Sequence, residues 1–173
     1  MNDSFDFTHI LWGWIYLFRR QHDEAIKEGE RAIELNPNGA IAHAHLAFTL
    51  ICSDKIESAI KLIKRAIRLN PFPQADLYVI LAAAYRYNEQ YEKAIEVSEK
   101  ILSVNPDLLA PYLTLAISYT FLNRTEEARK AVEEVLRIQP DFSLVYHANT
   151  TPYKNQEELA KRINALRKAG LPE

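Results

Sequence analysis

The chain has little of the residues that build disulfide frameworks, flexible linkers or metal centres. It contains one cysteine, Cys52, and only 4 glycines among 173 residues. A lone cysteine cannot form an internal disulfide, and it fits the reducing conditions of the cytoplasm, where we expect the protein to reside. Few glycines together with 48% hydrophobic residues predict an ordered globular chain instead of a disordered one.

Long apolar runs and an excess of positive charge are also missing. The most apolar run covers residues 10–18, which is less than half of the roughly 20 residues that cross a bilayer. Asp3 and Asp6 precede it where a secretion signal would have lysine or arginine. The net charge of −2 provides no basic surface. We therefore expect neither a membrane nor a nucleic acid as a partner.

Motifs for catalysis and metal binding are the third absence. His43 and His45 lie two residues apart, so on a helix they point in different directions, whereas helical zinc ligands need a spacing of four. The sequence has no glycine-rich phosphate loop, and no nucleophile stands beside a base and an orienting group. We expect no catalytic residue, no metal and no cofactor, and a protein that is not an enzyme.

What the sequence does contain is a recurring signal that ends helices. Pro37, Pro71, Pro106 and Pro140 lie 34, 35 and 34 residues apart, and each follows a segment with apolar residues three and four apart. Proline has no amide hydrogen and moves the preceding residue out of the helical region. The spacing therefore predicts a repeated unit of two helices, with an extended link where Pro73 closely follows Pro71.

Within each unit, small and large residues recur at the same places. An alanine lies twelve residues before each proline, and a stripe of large, large, small and large residues precedes that alanine. Residues three, four and seven apart share one face of a helix, so each stripe predicts a buried contact with a second helix. The alanines are Ala25, Ala59, Ala94 and Ala128, and the stripes are His9, Trp12, Gly13 and Tyr16; His43, Leu46, Ala47 and Leu50; Tyr78, Leu81, Ala82 and Tyr85; and Tyr112, Leu115, Ala116 and Tyr119.

This pattern resembles the tetratricopeptide repeat (TPR), which reads W-x2-L-G-x2-Y, then A-x3-F, then P. The resemblance implies an all-α fold, a right-handed α-solenoid of four TPR helix pairs plus a C-terminal capping helix. The aromatic of A-x3-F is replaced, and Gly29 in that position is expected to weaken its helix by about 1 kcal/mol relative to alanine. The four repeats are expected over residues 1–142, at about 6–39, 40–74, 75–108 and 109–142.

Residues 143–173 are expected to form a connector and the capping helix. Residues 141–154 lack helical periodicity, which predicts a turn-rich segment. Asn155 followed by Glu158 has the pattern of a capping box and predicts a helix whose apolar face is Leu159, Ile163 and Leu166. Five basic side chains are expected to face water: Lys154, Lys161, Arg162, Arg167 and Lys168.

The resemblance implies a protein-interaction scaffold whose first helices line a concave groove. The lysine, arginine and asparagine with which some TPR domains hold a chaperone's carboxyl terminus are mostly replaced by apolar residues. The expected ligand is therefore an apolar peptide, helix or partner domain. The predicted groove residues are Trp14, Phe18, His45, Phe48, Val79, Arg86, Tyr87, Leu113, Ile117 and Phe121, with Ile10 and Leu17 beside the first two.

The first helix is apolar around its whole circumference. Trp12 and Tyr16 belong to the expected internal stripe, and other apolar residues remain on the other faces. An all-round apolar helix is expected to be buried on more than one side. The sequence therefore predicts a homodimer, or contact with a missing upstream domain, through Phe7, Trp14, Ile15 and Phe18.

Two alternatives remain at this point. The tail from Pro152 to Glu173 resembles the C-terminal end of TPR regions attached to bacterial class III adenylate or guanylate cyclases, which implies a regulatory module of a larger signalling enzyme. Helical-pair repeats of about 35 residues also bind RNA, one base per repeat. The net charge of −2 disfavours RNA binding, which needs a basic groove.

Overall fold

The computed structural model describes residues 3–72 and 74–173, and in this part of the chain the secondary structure consists of ten helices and no strand. The all-α expectation is confirmed. Pro73, in the expected extended link, lies outside the described residues. The helices are α1 Asp3–Phe18, α2 His22–Leu35, α3 Ala40–Cys52, α4 Ile56–Leu69, α5 Ala75–Tyr87, α6 Tyr91–Leu102, α7 Leu109–Phe121, α8 Thr125–Ile138, α9 Leu144–Thr150 and α10 Gln156–Ala169.

Consecutive helices pack as pairs, α1 with α2, α3 with α4 and α7 with α8. We call α1, α3, α5 and α7 the first helices, and α2, α4, α6 and α8 the second helices. The second helices α2, α4 and α8 each end two residues before Pro37, Pro71 and Pro140, as expected from residues that cannot continue a helix. The alanines twelve residues before the prolines are buried, none more than 1% exposed.

The chain turns between each first helix and its second helix in the same way four times. One residue of each turn, Arg20, Asp54, Glu89 or Asn123, has a positive φ of 56–65°. The next residue donates its backbone N–H to a carbonyl five residues back, at 2.8–2.9 Å. This left-handed ending satisfies a carbonyl at the helix C-terminus and reverses the chain.

The two glycines inside helices mark places where helices approach closely. A Cβ on Gly13 would lie 2.3 Å from Cε1 of His45 in α3. A Cβ on Gly29 would lie 2.9 Å from Cδ1 of Leu46, also in α3. The sequence indicated only that Gly29 weakens its helix. The structure adds that a larger residue at position 29 would collide with α3.

The chain divides into two compact units. The first unit contains the residues up to Ile80 together with Pro152–Asn155, and the second contains Leu81–Thr151 and Gln156–Glu173. In the first unit, Leu17, Ala25 and Cys52 form one buried cluster, with Trp14, Tyr16, Phe48 and Tyr153 packed around it. The boundaries of the four repeats stay a prediction.

The buried side of α1 differs from the expected one. Ile10 and Leu17, predicted to line the groove, are 5% and 0% exposed, whereas Trp12 of the expected internal stripe is 45% exposed. In the first unit α2 packs against α3 and covers the stripe of that helix, but no described helix precedes α1. Because α1 is apolar all round, its sequence did not select the side that faces its neighbours.

The segment expected to be turn-rich contains a helix, α9. Ser143 caps it, because its Oγ accepts a hydrogen bond from the Tyr146 backbone N–H at 3.2 Å. Phe142 and Leu144, at the N-terminus of this helix, are buried. The prediction of a connector without helix was wrong because tertiary burial and a single cap stabilise a helix too short to show periodicity.

The capping helix is present as α10, and its expected apolar face is buried. Leu159, Ile163 and Leu166 are at most 9% exposed, and α10 packs against α7 more extensively than against α8. Arg162, predicted to face water, is instead buried and 5% exposed. It lies between Leu159 and Ile163 on the same helical face, which carries it into the interface.

Candidate functional site

Four rings form a cluster where α1 meets α3, and we call it the Trp14 cluster. The ring of Trp14 lies 6.0 Å from Phe18, 4.9 Å from His45 and 5.3 Å from Phe48. Residues 14 and 18 are one turn apart on α1, and 45 and 48 are three apart on α3, so each pair shares a helical face. Phe18 is 62% exposed, while Trp14 and Phe48 are half-buried. The cluster presents aromatic surface to solvent.

His45 is the buried ring of this cluster. It is 2% exposed, and neither ring nitrogen has a hydrogen-bond partner. Burial lowers its pKa to about 4, because a charged imidazolium would lose its hydration there. The ring therefore stays neutral near pH 7 and acts as an aromatic packing group under Trp14.

A short piece of the C-terminal region borders the cluster in the first unit. The backbone N–H of Lys154 donates to the carbonyl of Cys52 at 2.8 Å, and Arg20 donates to the carbonyl of Tyr153 at 3.3 Å. The Asn155 amide donates to Asp54 at 3.1 Å. These bonds tie residues 153–155 to the C-terminal ends of α1 and α3.

A second apolar surface runs along α1. Phe7, Leu11, Ile15 and Phe18 are 53%, 48%, 41% and 62% exposed, and their spacing of four, four and three places them on one helical face. We call these four residues the α1 face. Of the residues predicted for self-association, Phe7, Ile15 and Phe18 lie on this face, whereas Trp14 is half-buried in the Trp14 cluster.

The predicted groove residues on α5 are largely enclosed. Val79 is half-buried in the first unit. In the second unit Arg86 is 8% exposed and Tyr87 is half-buried, and the Arg162 guanidinium carbon of α10 lies 3.6 Å from the Tyr87 ring centroid. The chain's own α10 therefore occupies the space next to Tyr87.

The predicted groove residues on α7 have three different environments. Ile117 is 3% exposed, and the neighbouring Thr120 hydroxyl, which donates to the Ala116 carbonyl at 2.8 Å, also lies 3.4 Å from the Ala165 carbonyl of α10. Leu113 is half-buried and lines a surface pocket of about 250 Å³ that lies between α7 and α9. Phe121 is 40% exposed and stacks on Tyr91 at 5.0 Å. Of the predicted groove residues on α7, Phe121 is the one that is exposed.

Sequence reasoning missed the role of α10 at this face. The sequence predicted that the first helices line a ligand-binding groove and that α10 covers the end of the repeats. In the structure, α10 packs mainly on a first helix, α7. A signal was present in Arg162, which lies between apolar residues on the buried face of α10. The position of a helix in three dimensions cannot be read from that pattern alone.

The described residues offer no metal centre and no membrane span. No group of three or more histidine, cysteine, aspartate or glutamate side chains in the described ranges is placed to hold a metal ion. Across those same ranges, no helix has the length and apolar character that a bilayer crossing requires. Burial raises the pKa of the Cys52 thiol well above its ordinary value, so this thiol stays protonated.

Comparisons with known proteins point to one protein family. Two family models described as tetratricopeptide repeat match residues 9–38 and residues 73–141. The Hsp70-Hsp90 organising protein of Plasmodium falciparum (isolate 3D7) is 36% identical over 100 residues, which cover 54% of this chain and 18% of that protein. The chain thus spans about a fifth of the length of this curated relative.

Solved structures of helical repeat proteins have a similar fold. A thermophilic TPR protein of Thermus thermophilus has a TM-score of 0.73 at 19% identity, covering 95% of this chain and 86% of that chain. YrrB, described as a TPR protein with an unusual peptide-binding site, has a TM-score of 0.60 at 17% identity, covering 93% of this chain and 82% of that chain.

Proposed function

Because this chain is a tetratricopeptide-repeat protein, we propose that it is a non-catalytic scaffold that binds an apolar peptide, helix or partner domain. The Trp14 cluster carries this proposal. It combines an exposed ring, Phe18, with two half-buried rings, Trp14 and Phe48, on neighbouring first helices. In the second unit, α10 packs against the first helix α7.

Aromatic side chains suit such a ligand because they supply large apolar area at a low cost in side-chain entropy. The buried ring of the Trp14 cluster, His45, is neutral near pH 7. We therefore expect this cluster to select its ligand by shape and apolar area. The names of two similar proteins support protein binding, since one is an Hsp70-Hsp90 organising protein and the other is described as having an unusual peptide-binding site. The cytoplasm remains the proposed compartment, on the grounds of the single reduced cysteine.

Peptide selection from a random display library, followed by calorimetry, tests this proposal. We expect the selected peptides to be rich in apolar residues, and Phe18→Glu plus Phe48→Glu to weaken their binding by about tenfold or more. Phe72→Glu is the matched control, because Phe72 is 87% exposed and lies outside the cluster. Equal binding by the double variant, in a chain shown by circular dichroism to be folded, would disprove the proposed site.

We also propose that the chain forms a homodimer through the α1 face together with Trp14. Four apolar side chains, each 41–62% exposed, repeat on one side of α1, and two-fold packing of this helix against its copy would bury them. The only charged residue of α1 with a described side chain is Asp6, which is buried and accepts a bond from Asn36 at 2.8 Å. Among the α1 residues whose side chains the structure describes, the α1 face therefore opposes no carboxylate, lysine or arginine to a second copy.

Sedimentation velocity tests the homodimer. We expect the wild-type chain to sediment as a dimer at tens of micromolar. The variant Phe7→Glu plus Ile15→Glu should sediment as a monomer, because dimerisation would bury the introduced carboxylates of both copies in an apolar interface. Phe72→Glu again serves as the control and should remain dimeric. A wild-type monomer under these conditions, unchanged by either variant, would contradict the proposal.

An upstream domain could cover the same α1 face in a longer protein, and a longer chain would then be monomeric. The cyclase resemblance of the tail lies beyond the matched ranges, which end at residue 141, and it stays a prediction. RNA binding also stays a prediction, and the net charge of −2 still disfavours it.

A further inference from the structure

A carboxylate on the buried face of α1 has no basic partner among the described residues. Asp6 precedes Ile10 by four residues and Leu17 by eleven, so helical spacing places it on the same inner face. It is 9% exposed. Its two oxygens accept hydrogen bonds from the Asn36 side-chain amide and the Phe7 backbone N–H, each at 2.8 Å. Both donors are neutral, and Asp6 takes part in none of the ion pairs between described side chains.

This carboxylate lines an open pocket of about 450 Å³ in the first unit, which we call the Asp6 pocket. The pocket lies where the N-terminal half of α1 and the start of α3 meet the end of α4. Large apolar side chains line it, Phe7 and Ile10 from α1, Ile41 from α3 and Leu69 from α4. Its volume lies in the range of roughly 300–1,000 Å³ that is usual for small-molecule sites.

The charge of Asp6 is not balanced inside the pocket. None of the described residues that line it is a lysine, an arginine or a histidine. Two basic residues nearby in the sequence or fold bond elsewhere, since His9 pairs with Glu28 at 2.6 Å and Arg65 donates to the Pro37 carbonyl at 3.4 Å. The Asp6 pocket therefore holds one negative charge among apolar walls.

The Asn36 amide that contacts this carboxylate is held in place by Gly39. The Gly39 N–H donates to the Asn36 carbonyl at 3.0 Å, and a Cβ on Gly39 would lie only 2.9 Å from Asn36 Nδ2. Because residue 39 has no side chain, the amide can lie against the start of α3 and still reach Asp6. The carboxylate is thus oriented before any ligand binds, which lowers the entropic cost of binding.

A primary ammonium group on an alkyl stem matches this pocket. An ammonium carries the single positive charge that balances one carboxylate, and each oxygen of Asp6 has room for a second hydrogen bond. Apolar walls suit the alkyl stem, and the Phe7 ring attracts a cation. A divalent metal ion needs more oxygen ligands, and the described residues hold no cluster of three metal-binding side chains.

We propose that the Asp6 pocket binds a primary alkylammonium group, with its nitrogen on Asp6 and its stem along Phe7, Ile10 and Leu69. None of the four residues of the Trp14 cluster lines this pocket, so the site does not depend on the peptide site proposed above. Free amines and the lysine side chains of proteins share this chemistry, and the two sources are separated by the choice of probe.

Butylammonium chloride is the first probe, added to the full chain at constant ionic strength and followed in nitrogen-15 correlation spectra. We expect saturable shifts of the backbone amide signals of Gly39 and Ile41, which line the pocket. Asp6→Asn keeps the shape of the side chain but removes its charge, and it should weaken binding by about tenfold or more. Asp23→Asn is the matched control, because Asp23 is exposed on α2 and lies outside the pocket lining. It should bind like the wild-type chain.

Two further probes define what the pocket recognises. 1-Butanol has the same stem without the charge and should bind at least about tenfold more weakly than butylammonium. Nα-acetyl-lysine N-methylamide has the same stem and ammonium between two peptide groups. Affinity equal to that of butylammonium assigns the pocket to a lysine of a protein partner, and affinity about tenfold weaker assigns it to a free amine.

Equal affinity of the wild-type chain and Asp6→Asn for butylammonium would overturn the proposal, and so would equal affinity of the wild-type chain for butylammonium and 1-butanol. If Asp6→Asn fails to fold, Ile41→Lys takes its place, because Ile41 is 67% exposed and lines the pocket. A lysine there would repel the probe or occupy its place, and should weaken butylammonium binding by about tenfold. Unchanged binding by Ile41→Lys would also overturn the proposal.

Discussion

The contact between Gly13 and His45 shows how single residues set the distance between two first helices. The imidazole of His45 packs directly on the backbone at Gly13, and Trp14 covers it from the adjacent position. A side chain on residue 13 would occupy the place of the ring, since the added Cβ would be 2.3 Å from Cε1. The glycine is thus required by packing and not by backbone conformation.

We therefore expect Gly13→Ala to lower the free energy of unfolding by about 1–3 kcal/mol, as overpacking of a helix contact does. The measurement is urea denaturation followed by circular dichroism. In a His45→Ala background the clash is gone, and Gly13→Ala should be neutral or stabilising by up to about 1 kcal/mol, because alanine favours a helix more than glycine. The same loss of stability in both backgrounds would contradict the contact.

The burial of His45 also predicts how stability depends on pH. Its pKa falls from 6.5 in the unfolded chain to about 4 in the folded protein, because burial disfavours the charged form. The unfolded chain therefore binds a proton first as the pH falls. Stability from this group is complete above pH 6.5 and is lost toward pH 4, by up to ~3 kcal/mol.

Unfolding free energies of wild-type and His45→Gln proteins between pH 7.5 and 4.5 check this prediction, with the variant losing ~2 kcal/mol less over that range. His22 and His147 also have lowered pKa values, caused first by burial, and they add a loss in the same direction in both proteins. Parallel pH profiles for the two proteins would show that His45 does not carry the effect.

At the scale of the helices, the four left-handed turns are the most regular local feature. Each ends a first helix with one residue of positive φ, and four different residue types occupy that place. A side chain with a Cβ is strained in this region, although asparagine tolerates it better than glutamate. The fold therefore imposes the same turn on favourable and unfavourable sequences alike.

Replacing the strained residue should stabilise the turn where it is least suitable. We expect Glu89→Gly to raise the free energy of unfolding by about 1 kcal/mol, because glycine adopts the left-handed conformation without strain. Asn123→Gly, at the equivalent position with φ of 58°, should change stability by less than about 0.5 kcal/mol. A chemical denaturation series decides, and equal effects at the two turns would count against strain as the cause.

At the scale of the whole chain, α10 contributes much of the apolar core of the second unit. Leu166 is completely buried, and Leu159, Ile163 and Ala169 are buried beside it on the same helix. Because α10 packs mainly on α7, it stabilises a first helix whose outer side would otherwise face solvent.

Leu166→Ala should therefore lower the free energy of unfolding by about 2–5 kcal/mol, the cost of a cavity in a packed core. Lys168→Ala, two residues away and exposed, is the control and should change stability by less than ~0.5 kcal/mol. Thermal and urea denaturation measure both. A small effect of Leu166→Ala would mean that α10 is held by other contacts or is displaced easily.

The sequence by itself determined the repeat period, the helix type and most helix ends. Prolines and turns act through the backbone of a few neighbouring residues, so Pro37, Pro71 and Pro140 stop helices in any context. The alanines twelve residues before them are buried because helical spacing places them on the inner face, as Ala25 and Ala59 show. The apolar face of α10 was predictable for the same reason.

Only the tertiary structure decided which faces meet. An all-round apolar helix has no preferred side, so burial of Ile10 and Leu17, and exposure of Trp12, depended on where α2 and α3 lie. Arg162 became buried because α10 packs on α7 and brings it to Tyr87, a contact between residues far apart in the chain. Local patterns give the apolar faces of helices, but the partner of each face depends on the packing of all of them together.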